Sequence, residues 1–131
     1  MSFQLHPRLA ADTRFIADWP LCRVLLMNDA RYFWIVLVPR RDGVTEITEL
    51  SAQDRAGLME ETARAGRIIK AAGAAKLNIG ALGNIVPPLH LHVVGRNSGD
   101  PAWPGPIWGH SPAVPYDAAA LAARITLVRS G

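Results

Sequence analysis

The order of apolar and polar positions along this 131-residue chain predicts an antiparallel sheet interrupted by one long helix. Residues 7–11 predict a helical turn behind Pro7, and residues 13–18 a strand. Leu21-Cys22-Arg23-Val24-Leu25-Leu26-Met27 is apolar at nearly every position, the pattern of a strand covered on both faces. Turn formers at Asn28-Asp29 lead to Tyr32-Phe33-Trp34-Ile35-Val36-Leu37-Val38, rich in aromatic and β-branched residues. The two runs predict a hairpin at the centre of the sheet, ended by Pro39, which has no N–H to give to a ladder.

Ser51 with Asp54 three residues on has the spacing of a capped helix start, and a helix over 51–72 follows. Its inward stripe is Leu58, Thr62, Ala65 and Ile69, with Glu60, Glu61, Arg64 and Arg67 outside and Gly73 as the stop. Gly57 and Gly66 each cost the helix ~1 kcal/mol relative to alanine, which points to close packing on the sheet. Strands are predicted over 76–81 and 89–95, and an alanine-rich helix over 117–128. Between them, residues 97–115 form a Gly-, Pro- and Trp-rich loop whose tryptophans are placed to cover a site or a neighbouring subunit. The expected fold class is α+β: one domain over 1–131, with about five strands, the long helix on one face and the other face open.

Composition narrows the classes. Half of the residues are hydrophobic, which excludes a disordered chain. The single cysteine, Cys22, has no internal partner and suits a reducing compartment. With no apolar run of membrane-spanning length and no signal-peptide pattern, a soluble, unprocessed cytoplasmic protein is expected, with no membrane partner. A net charge of +3 and a pI near 9.6 come from scattered basic residues, so a small anionic ligand is expected rather than nucleic acid. Arg40-Arg41 reads as a solvated strand end.

The candidate chemistry lies in Val86-Pro87-Pro88-Leu89-His90-Leu91-His92-Val93-Val94-Gly95-Arg96, preceded by the loop Gly80-Ala81-Leu82-Gly83-Asn84. On a strand, Leu89, Leu91 and Val93 face a core while His90 and His92 stand together on the other side. Imidazole titrates nearest neutral pH, which suits nucleophilic attack, proton transfer or metal ligation. One alternative is a pair of surface or hydrogen-bonded histidines. Another is half of a zinc site, which needs His6, His110 and Cys22 to converge; nothing in the spacing requires that, so no metal or other cofactor is expected.

These residues resemble the histidine triad (HIT) superfamily of nucleotide hydrolases and transferases. The likeness rests on Leu89-His90-Leu91-His92-Val93-Val94, the glycine loop before it, and the upstream strand Ile35-Val36-Leu37-Val38-Pro39-Arg40-Arg41, and it covers nearly the whole chain. The family pattern is His-x-His-x-His and two hydrophobic residues; here Pro88 holds the first position, as in small bacterial relatives of the form Val-Pro-x-Leu-His-x-His. The resemblance implies a nucleotide hydrolase or phosphoramidase, with His90 attacking the α-phosphorus of a purine nucleotide or conjugate and His92 as donor to phosphate or leaving group. For attack, Nε2 of His90 must be unprotonated, so its Nδ1–H should meet an acceptor such as a backbone carbonyl of the preceding loop. Gly83 and Asn84 are expected toward the phosphate, and Asn28 or Asp29 toward the ribose. Relatives are usually twofold dimers, and the aromatic strand 32–38 with the helix 48–73 offers apolar surface for one. The chain also departs from the pattern. Asn84 and Ile85 stand where the family commonly has glutamine and a hydroxyl residue, and Tyr32-Phe33-Trp34 replaces a Pro-Gly-His element. A nucleotide-binding module without useful catalysis is the competing reading.

Overall fold

The computed structural model describes residues 3–131. Its elements are α1 (Pro7–Asp12), β1 (Thr13–Asp18), β2 (Cys22–Met27), β3 (Trp34–Pro39), a short 3-10 turn (Ile47–Glu49), α2 (Ala52–Ala71), β4 (Lys76–Gly80), β5 (Leu91–Arg96) and α3 (Ala118–Arg129). The strands make one antiparallel sheet of five in the order β1-β2-β3-β5-β4, so the class read from the chain holds. The hairpin strand β3 is central, flanked by β2 and β5.

The helix forms for the local reasons its sequence supplies. Ser51 accepts the Asp54 N–H at its N-cap, and Leu58, Thr62, Ala65 and Ile69 are buried. Glu61 departs from the expected outward set. It is buried, and its carboxylate accepts the backbone N–H groups of Leu21 and Cys22, each at 2.8 Å, which tethers the helix to the start of β2. Periodicity alone could not show this, because the partners are backbone groups about forty residues away. Close packing of helix and sheet is plain at Gly95, where an added Cβ would sit 2.6 Å from Ile69, and at Gly66, where it would sit 2.8 Å from Leu77.

The sheet divides two different interiors. On the α2 side, Val24, Leu26, Ile35, Leu37, Leu91 and Val93 join Ile68 and Ile69 in one aliphatic core. On the other side, Leu25, Val36 and Val38 pack against Leu9 of α1 and Val86, while Tyr32 and Val94 pack against Ala102 and Ile107 of the late loop. That second face was expected to be open; α1 and the loop cover it from two directions and leave a cleft between them. Strand β3 is also buried within its own chain, with Ile35 to Val38 at most 1 % exposed, so it offers no surface to a second subunit. Exposed apolar side chains on the helix side include Met59 and Ile79, the latter on the edge strand β4.

Candidate functional site

β5 begins at Leu91, two residues later than expected, because Pro87-Pro88 precede it and the ladder's first pair is Leu91 with Leu37. His90 therefore sits just before the strand and His92 on it. Their rings lie side by side, 5.0 Å between centroids and 72° between planes. Both are buried.

Their ring nitrogens are held in opposite ways. Nδ1 of His90 is 2.7 Å from the carbonyl oxygen of Pro88. A carbonyl only accepts, so this contact places the ring proton on Nδ1 and leaves the Nε2 lone pair uncommitted. His92 receives the indole N–H of Trp34 on Nδ1, at 3.0 Å. An indole N–H only donates, so here Nδ1 is bare and the proton is on Nε2. Burial, followed by the charge His90 carries when protonated, pushes the His92 pKa down to about 4, so at neutral pH it is an uncharged donor. An imidazole with a free lone pair thus stands beside a fixed donor.

Both rings line a cleft of about 400 Å³, walled by Arg8, Met27, Trp34, Asn84, Val86 and Trp108 among others. The Trp108 ring lies 5.5 Å from that of His92, so the late loop does lay a tryptophan on the site. Its indole N–H is buried and has no hydrogen-bond partner among the described residues. Trp103, by contrast, leaves the site and stacks on Arg96. Gly83, in the left-handed region at φ 71°, and Asn84 both line the cleft, and Gly83 also borders a smaller hollow of about 190 Å³ on the far side of His90. Ile85 is 72 % exposed at its mouth, with no hydroxyl to offer.

Asn28 and Asp29 border an adjoining hollow of about 380 Å³ that shares Trp34 and Trp108 with the cleft. Asp29 is buried, and its carboxylate accepts from Arg31 Nε and Nη2, each at 2.9 Å, and from the backbone N–H groups of Arg31 and Val114. Burial alone would raise its pKa; these hydrogen bonds outweigh it and hold the carboxyl below the usual range. Asn28 Oδ1 accepts the Tyr116 N–H. The polar atoms expected at a ribose are thus committed largely to holding the late loop.

The possible zinc ligands do not gather. His6 caps α1 through Arg8 N, His110 pairs with Ser111, and Cys22 is buried in the helix-side core, where burial pushes its thiol pKa up. Among the described residues no three His, Cys, Asp or Glu side chains are placed to hold a metal, and no helix is long and apolar enough to cross a membrane. Trp34, Arg8 and Val86 were not read as site residues. Trp34 had a signal in its position, two residues from the β3 residue that pairs with His92, hence on the same face and diagonal to it.

Two buried imidazoles with opposite tautomers thus lie on a sheet floor under aromatic walls. The HIT domain model matches residues 8–99, and the chain belongs to the HIT domain family, which generally binds nucleotides and acts on phosphate. A histidine triad protein from Bradyrhizobium japonicum is 44 % identical, with a TM-score of 0.96 over 99 % of this chain and 98 % of its own. One from Marinobacter aquaeolei VT8 is 45 % identical, with a TM-score of 0.95 over 99 % and 96 %. One from Sinorhizobium meliloti 1021 is 44 % identical, with a TM-score of 0.94 over 98 % and 96 %. The search of curated proteins gives no significant match.

Proposed function

We propose that this chain is a nucleotide hydrolase or transferase that acts on the α-phosphate of a nucleoside phosphate derivative, with His90 as nucleophile and His92 as donor to the phosphate. The observation that carries the reading is the contact of His90 Nδ1 with the Pro88 carbonyl, which leaves Nε2 bare on a ring that lines the same cleft as Asn84 and Trp108. In the first step that lone pair bonds to phosphorus and the leaving group departs with its electron pair. In the second, water's oxygen bonds to phosphorus, the N–P pair returns to Nε2, and a proton passes to solvent. Splitting one displacement into two lowers the barrier that each must cross.

The cleft suits a purine nucleotide or conjugate. Leu9, Met27, Trp34 and Trp108 offer apolar surface to a base, and Gly83 and Asn84 stand on the phosphate side. The loop that Asn28 and Asp29 hold would close over the ribose. The same reading includes a cytoplasmic protein, in keeping with a lone buried thiol, and a homodimer formed through edge strand β4 with Met59 and Ile79. Sedimentation at micromolar concentration should show twice the 14.2 kDa chain mass, and a species of single mass would remove the dimer.

The competing reading, a binding module, draws on Pro88 in the first triad position and Ile85 where a hydroxyl is common. Single-turnover incubation with adenylylated compounds separates the two. Labelled protein supports the hydrolase, whereas nucleotide affinity without label supports the module.

A further inference from the structure

Trp34 does more than wall the cleft. We propose that it locks His92 as a neutral donor, and so confines the site to α-phosphates whose leaving group departs as an anion. This rests on the hydrolase reading and narrows it.

The geometry leaves His92 one state. An imidazolium carries a proton on both nitrogens, but Nδ1 of His92 faces the indole N–H of Trp34 at 3.0 Å. Protonating it would set two donors against each other in a buried place, with neither satisfied. The indole cannot swing away freely, because Trp34 packs its ring 5.6 Å from that of His92 and 6.3 Å from Tyr32, and Trp108 closes on His92 from another side. The titratable and charged groups near His92 are His90 beside it and, on the cleft wall, the ion-paired Arg8 and Asp12. None is within hydrogen-bond reach of His92 as an acceptor that would favour its cation. A neutral imidazole N–H can stabilise negative charge on a phosphate oxygen; it gives up its proton too reluctantly to serve as a general acid near neutral pH.

The consequence falls on the leaving group. When His90 Nε2 bonds to phosphorus, the bond that breaks sends its electron pair to the departing atom. A carboxylate leaving a mixed anhydride carries that charge unaided. An amine leaving a phosphoramidate must gain a proton as the bond breaks, and His92 cannot supply it. Ile85 has none to give.

Two measurements test this. Nitrogen NMR of the unligated protein near pH 7 should show His92 as the pure Nε2–H tautomer, and in Trp34→Phe as a mixture. An Nδ1–H or doubly protonated His92 in the wild type overturns the lock, whether or not the variant folds. Adduct formation followed by mass spectrometry should be at least ~100-fold faster with acetyl adenylate than with adenosine phosphoramidate, the scale of a missing general acid. Equal rates overturn the substrate assignment while leaving the hydrolase reading intact. Labelling by neither compound overturns the hydrolase reading itself, and the substrate assignment with it.

Discussion

The two faces of the sheet are built on opposite plans. Toward α2, the side chains are aliphatic and fitted by shape, with Gly95 and Gly66 bare so that Ile69 and Leu77 can come close. Toward the cleft, the strands and the residue just before β5 add to two smaller apolar clusters a set of polar groups fitted by pairing: Trp34 to His92, His90 to Pro88, and Arg96 to Asp100 and Asn78. Close packing fixes shape but leaves no proton to place, whereas a hydrogen bond fixes which atom holds a proton. Both faces bury apolar side chains, but only the cleft face also sets protonation states. Substitutions on the helix face should show in stability alone, and those on the cleft face in stability and nucleotide chemistry together.

The largest change in stability is expected on the helix side. Ile69→Ala removes a fully buried side chain and should cost about 2–5 kcal/mol in denaturant unfolding, with the His92 tautomer unchanged in whatever fraction stays folded. A loss confined to nucleotide chemistry, with unfolding unaltered, would erase the contrast between the faces.

The next effect belongs to pH. His92 is held down to about 4 in the folded protein and titrates near 6.5 when unfolded. A depressed pKa means that the unfolded chain takes up the proton first as pH falls. The contribution is complete above pH 6.5 and is lost as pH drops toward 4, at most about 3 kcal/mol in all. His92→Gln should flatten that part of the stability profile. A wild-type profile level from pH 6.5 to 4.5 would contradict the burial argument.

A smaller effect should follow Asp29→Ala. The Arg31 partner is 17 % exposed at its side chain, so water softens the loss, and about 1–3 kcal/mol of stability should go. Binding of adenosine monophosphate should weaken in step with loosening of residues 111–116, which hydrogen exchange would report. Exchange unchanged beside weakened binding would instead favour a direct ribose contact.

The helix-side plan was legible in the chain because shape packing leaves a periodic trace: Leu58, Thr62, Ala65 and Ile69 recur at helical spacing, and β2 and β3 read as unbroken apolar runs. The pairing of the cleft face leaves no such trace. His90 and His92 were visible as a spacing, but the indole that fixes one of them comes from β3, 58 residues away. Asp29 read equally well as a turn former, since its long-range partner is a backbone N–H at Val114. Glu61 was misplaced for the same reason. Its neighbours on α2 mark an outer face, while backbone groups at Leu21 and Cys22 draw it inward.

The central claim is that His90 performs the attack, and the direct measurement is intact-protein mass after a brief incubation with acetyl adenylate, run on wild type and His90→Ala together with adenosine monophosphate affinity. The account predicts a mass increase of one nucleotidyl group on the wild type, none on the variant, and similar affinity for both, because a nucleophile acts in the transition state more than in the bound complex. An adduct that persists in His90→Ala, or a wild type that binds the nucleotide and never gains mass, would contradict it.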